Sequence, residues 1–88
     1  MSDADVEITK TIEGTEQVLN DGMKVRLDAT YDPFEKWTEY YIVVYNDDET
    51  VSKVLIYDDL DENACALKGQ IIPYRKEKVL NIYNSLIK

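Results

Sequence analysis

The chain has 88 residues, 18 acidic and 10 basic side chains, one cysteine and no histidine, for a net charge of −8 at pH 7. That length suits a single domain, residues 1–88, with a small core, and a 44% hydrophobic content with seven tyrosines marks an ordered chain rather than a disordered acidic tail. The lack of histidine removes the commonest general base, the Ser-His pair and the usual zinc ligand, and a lone Cys65 excludes an intrachain disulfide.

Several locations are disfavoured as well. No stretch approaches the roughly 20 apolar residues of a membrane span. The opening residues Met1 to Asp5 are acidic, the reverse of a signal peptide. An acidic body is repelled by nucleic acid and by anionic membranes. The cytoplasm of a host cell, with no membrane and no direct nucleic-acid contact, is the expected setting.

In chain order, Val6, Ile8 and Ile12 alternate with Glu7, Thr9 and Thr11, which predicts a first strand. Residues 14–21 are compatible with a hairpin extension or one helical turn. Asn20-Asp21-Gly22 is a tight-turn signal. After it Met23, Val25, Leu27 and Ala29 face one way and Lys24, Arg26, Asp28 and Thr30 the other, a half-buried strand. Tyr31 to Trp37 reads as a loop because Pro33 interrupts pairing. Thr38 to Asn46 is apolar on both faces, which predicts a central strand, and an acidic turn leads to a partner strand, Thr50 to Tyr57. Asp59 reads as an N-cap with Glu62 completing a capping box, opening a short helix to Lys68 that stops at Gly69. After Pro73, the spacing of Val79, Leu80, Tyr83, Leu86 and Ile87 predicts an amphipathic helix.

The expected fold is therefore α+β: a small antiparallel β-meander of about four strands, a short helix, and a C-terminal amphipathic helix packed on one sheet face. The opposite face is expected to present Tyr41 and Tyr45 uncovered. The meander also gives the charge a geometry. Residues 1–67 carry 17 acids and 5 bases, whereas residues 68–88 carry one acid and five bases. Asp32, Glu35 and Glu39 should gather with Asp58, Asp59, Asp61 and Glu62 at one end of the sheet, among Phe34 and Trp37. Asp21, Asp47, Asp48 and Glu49 should form a second pole at the other end. Taken singly, such acids suit turns and helix starts; their sum is repulsive unless something cationic relieves it. Arg75, Lys76 and Lys78 are expected to neutralise the protein's own acids rather than bind RNA.

Catalytic and metal motifs fall short. Asp59-x-Asp61-x-Asn63 begins like a calcium loop, but Ala64 and Gln70 stand where the turn glycine and the bidentate glutamate belong. The three glycines are too widely separated for a phosphate loop. No catalytic residue, metal site or cofactor is expected. In size, acidity and lack of catalytic residues the chain is similar to inhibitors and immunity proteins, often from phages or mobile elements, that block nucleic-acid-processing enzymes. That similarity implies a stoichiometric, nucleic-acid-mimicking inhibitor with an anti-defence or immunity role. The partner would be a protein with a basic surface, held by Asp32, Phe34, Glu35, Trp37, Asp58, Asp59, Asp61 and Glu62. The alternative is an assembly module that forms a homodimer through its tyrosine face or an edge strand.

Overall fold

The computed structural model describes residues 6–46 and 48–87. The sheet comprises β1 (Ile8–Thr11), β2 (Gln17–Val18), β3 (Lys24–Asp32), β4 (Trp37–Tyr45) and β5 (Val51–Leu60), all antiparallel to their neighbours. Two 3-10 turns, Cys65–Lys68 and Pro73–Arg75, precede helix α1 (Lys76–Leu86). The strand order is β1-β3-β4-β5, with β2 pairing the other end of β3 along the same edge as β1. The fold is α+β, as the alternation and the apolar stripe require, and β4 is central between β3 and β5.

The first strand is broken where the sequence left two readings open. Thr11 stands opposite Asp28 and Gln17 opposite Val25, so five residues, 12–16, face only Arg26 and Leu27. The Thr15 hydroxyl pins this excursion by donating to Ile12 O at 2.7 Å and accepting from Leu27 N at 3.2 Å. The hairpin extension is the reading realised.

One sheet face is the core face. Val25, Leu27, Ala29, Tyr31, Tyr40 and Ile42 pack there against Ala66, Ile71, Ile72, Val79 and Tyr83 from the C-terminal segment. Val79 and Tyr83, one turn apart, supply the buried stripe of α1. Leu86, expected in that stripe, is exposed, whereas Leu80 and Ile87 pack against the core beside Val79 and Tyr83. Two buried hydrogen bonds fix the segment: Tyr83 OH donates to Thr15 O at 2.7 Å, and Ile72 N donates to the Tyr40 hydroxyl at 3.1 Å.

The region after β5 corrects the sequence expectation. Asp59 is not an N-cap and no capping box forms. β5 runs through Leu60, with Asp58 and Asp59 paired to Glu39 and Thr38 of β4. The helix expected from Asp59 shrinks to the 3-10 turn at Cys65–Lys68. The residue anchoring that turn is Asp61, whose carboxylate accepts from Cys65 N (2.9 Å), Ala66 N (3.1 Å) and the Thr38 hydroxyl (2.9 Å). Gly69 stops the turn as expected, with a φ of 71° that suits glycine. The loop expected over Tyr31 to Trp37 is also shorter. The Asp32 carboxylate accepts from Phe34 N and Glu35 N, so the hairpin closes over residues 33–36 and Tyr31, Asp32 and Trp37 stay in the ladder.

Candidate partner-binding face

Strand alternation sends the other half of the side chains to the second sheet face, over which no described element packs. The register arranges them in rows. On β4, Trp37 lies between Asp32 and Leu60, Glu39 between Thr30 and Asp58, and Tyr41 between Asp28 and Leu55. Further along, Val43 lies between Arg26 and Lys53, and Tyr45 between Lys24 and Val51. The face therefore runs from an acidic end to a basic end. The sequence places Lys24 and Arg26 together on one face of β3; that Lys53 joins them across β4 to make a basic half follows only from the strand register.

The two halves differ in how their charges are satisfied. At the basic end Arg26 pairs with Asp28 at 2.9 Å, and its guanidinium lies 4.8 Å from the Tyr45 ring centre. Lys53 Nζ sits 4.7 Å from the centre of the Tyr41 ring. These side chains flank Val43, which is 1% exposed although no described element packs above it. At the acidic end, Glu7, Thr30, Asp32, Glu35, Trp37 and Glu39 surround a shallow hollow of about 160 Å³. Phe34 projects from the turn beside it and is 66% exposed. Among the described residues the ion pairs are Arg26–Asp28 and Arg75–Asp59, so none of the acids around that hollow, nor Asp58, has a cation. The Tyr41 hydroxyl donates to Glu39 at 2.9 Å. Burial, and then that bond to a carboxylate, pushes the Tyr41 phenol up to about 12.

The cluster expected around Asp58 to Glu62 divides among different surroundings. Asp58 joins the open face beside Glu39. Asp59 points to the core face, where Arg75 Nε meets it at 3.2 Å and the Tyr57 hydroxyl donates to it at 3.0 Å. The Leu60 N–H, more than Arg75 and Tyr57, holds its carboxyl below the usual carboxylate range. Asp61 is 2% exposed and consumed by its three hydrogen bonds, so it does not belong to a contact surface. Glu62 is exposed on the following turn, lining a separate groove with Leu60 and Tyr74. Of the expected contact residues, Asp32, Phe34, Glu35, Trp37 and Asp58 come together, Glu7 and Glu39 belong with them, and Asp59, Asp61 and Glu62 do not. Strand alternation separates Asp58 from Asp59, while Asp61 and Glu62 lie beyond the end of β5, where the chain turns toward Cys65–Lys68.

The far pole is a pair of turns. Asp21 accepts from Met23 N, and Asp48 from Thr50 N and the Thr50 hydroxyl. The Thr50 hydroxyl, followed by its N–H, draws the Asp48 carboxyl below its ordinary value. Asp47 lies outside the described residues. Among the described residues no group of three or more His, Cys, Asp or Glu is placed to hold a metal ion, and no helix is long and apolar enough to cross a membrane.

The fold and the face define a small α+β domain with one sheet face covered by its own C-terminal segment and the other uncovered by any described element. No family model, curated protein or solved structure matches the chain.

Proposed function

We propose that the protein is a non-enzymatic acidic binding protein, a stoichiometric inhibitor that occupies the basic surface of a nucleic-acid-binding protein with the acidic end of its open sheet face. The observation that carries this reading is the group of carboxylates, Glu7, Asp32, Glu35, Glu39 and Asp58, that have no ion-pair partner among the described residues, around exposed Phe34 and Trp37. Charges on one strand face recur about every 7 Å and on adjacent strands about every 5 Å. Both spacings fall within the screening length of roughly 8 Å at physiological ionic strength. Their mutual repulsion is thus only partly screened, and a cationic partner relieves it. Phe34 and Trp37 supply the apolar anchors that charge alone lacks. The protein's own basic segment supports the same direction, since Arg75 neutralises Asp59 on the covered face and leaves the open-face acids to a partner.

The test begins with capture from the native host at low and at physiological salt. The captured protein's nucleic-acid binding is then titrated with wild type, with Glu7→Lys/Glu35→Lys/Glu39→Lys, and with the far-pole control Asp48→Lys/Glu49→Lys. The reading expects one-to-one loss of nucleic-acid binding with wild type and the control, and at least about a tenfold weaker effect with the triple variant. Equal potency of the triple variant, with its fold verified by circular dichroism, refutes it.

A further inference from the structure

Among the described residues β5 is an edge strand of ten residues with no partner on its outer side. The opposite edge is interrupted at residues 12–16, and Glu13 N there already donates to Gly69 O. β5 instead presents Val54 and Leu55, 57% and 46% exposed, at its centre. A long, exposed apolar edge is a template for another strand. Edges are ordinarily protected by a lysine or a bulge, and β5 has both: Lys53, and a bulge that leaves Ile56 unpaired between Leu55, opposite Tyr41, and Tyr57, opposite Tyr40.

The bulge changes what β5 can pair with. In an unbulged strand, residues five apart point to opposite faces and never meet across a two-fold ladder. Skipping Ile56 puts Lys53 and Asp58 on the same open face, opposite Val43 and Glu39 of β4. We infer that β5 pairs antiparallel with β5 of a second copy about a two-fold axis at Leu55. That register places Lys53 of each copy against Asp58 of the other, Val54 against Tyr57, and Leu55 against Leu55. Side chains on both faces are then complementary: opposite charges and leucines on the open face, an aliphatic–aromatic pair on the core face. Val54 is clear of α1, while the α1 side chain Lys78 lies 5.5 Å from the centre of the Tyr57 ring. The ladder stops short of Leu60, whose carbonyl accepts from the Tyr74 hydroxyl at 3.1 Å. The product is a continuous sheet across two subunits with both open faces on one side, an isologous dimer. This inference does not rest on the inhibitor reading, but it shares one residue with it: in the dimer Asp58 meets Lys53 of the second copy, and Glu7, Asp32, Glu35 and Glu39 remain for a cationic partner.

Sedimentation equilibrium of the full chain from about 1 to about 500 µM is expected to show a reversible monomer–dimer equilibrium, weak because strand pairing buries little area. Lys53→Asp and Asp58→Lys singly put like charges opposite one another twice per dimer and should weaken association about tenfold or more. The double variant Lys53→Asp/Asp58→Lys should restore it. Hydrogen exchange at high concentration should protect β5 amides that are exposed in the monomer. A monomer throughout this range overturns the inference. So does a dimer that the double variant fails to restore, or one that forms without protecting β5 amides, which would indicate face-to-face association.

Discussion

Asp61→Ala should cost about 3–5 kcal/mol of folding stability, although the residue looks from sequence like one more surface acid. Its carboxylate is the acceptor for two buried backbone donors, Cys65 N–H and Ala66 N–H, and for the Thr38 hydroxyl. A buried donor left without a partner costs about 1–3 kcal/mol, while the hydroxyl can turn toward another acceptor. Two orphaned amides therefore account for most of the loss. At roughly 0.05–0.15 kcal/mol per residue the whole domain is worth only about 4–13 kcal/mol, so this one carboxylate decides much of its margin. Asp61→Asn keeps a single carbonyl oxygen, which serves one side of the site while its NH2 faces a donor on the other; about 1–3 kcal/mol should be lost. Glu62→Ala, one residue on and exposed, should stay within about 0.5 kcal/mol of wild type. Urea titrations followed by far-UV circular dichroism at neutral pH measure all three. An Asp61→Ala variant within about 1 kcal/mol of wild type would refute the anchoring role.

Two further outcomes follow from buried hydroxyls and from the absence of histidine. Tyr83→Phe removes the 2.7 Å bond to Thr15 O and strands a buried carbonyl, so urea denaturation should show a loss of about 1–2 kcal/mol with the α1 packing retained. Burial raises the phenols of Tyr40, Tyr41 and Tyr83 and the Cys65 thiol above their ordinary values. The stability linked to the phenols is thus complete below about pH 10 and lost as pH rises through the folded-state values; the thiol behaves likewise from about pH 9. Asp59 is shifted the opposite way, so its contribution is present above about pH 4 and lost as pH falls through its lowered value. Thermal melts should therefore give a plateau between about pH 5 and 9, with losses on both sides. A steep slope near neutrality would mean that a group other than these controls stability.

The strands that alternate cleanly were legible because burial of one face dictates their period. β3 and β4 fall where Val25, Leu27 and Ala29, and the doubly apolar run from Tyr40, place them. The short helix from Asp59 was misread because aspartate two residues before an acidic turn satisfies the same local preferences as an N-cap. What overrode those preferences was pairing: once β4 extends through Trp37, Asp59 and Leu60 have ladder partners, and the first amides of the 3-10 turn, whose N-cap is Ala64, are met by the Asp61 carboxylate. The interrupted first strand was ambiguous for a similar reason, since the Thr15 hydroxyl bonds locally to Ile12 O but is fixed by Leu27 N from the neighbouring strand.

The sequence by itself determined that this is a small acidic α+β domain with a central β4, an amphipathic C-terminal helix and acids concentrated before it. Those properties follow from local alternation, helical spacing and composition, each of which is carried by neighbours in the chain. Only the tertiary structure decided which acids share a surface. Asp58, Asp59 and Asp61 lie within four residues of one another, yet one joins the open face, one meets Arg75 on the covered face and one is buried under the turn it anchors. Cross-strand register, the Ile56 bulge and the path of the C-terminal segment made that division, and all three are set by contacts between residues far apart in the chain.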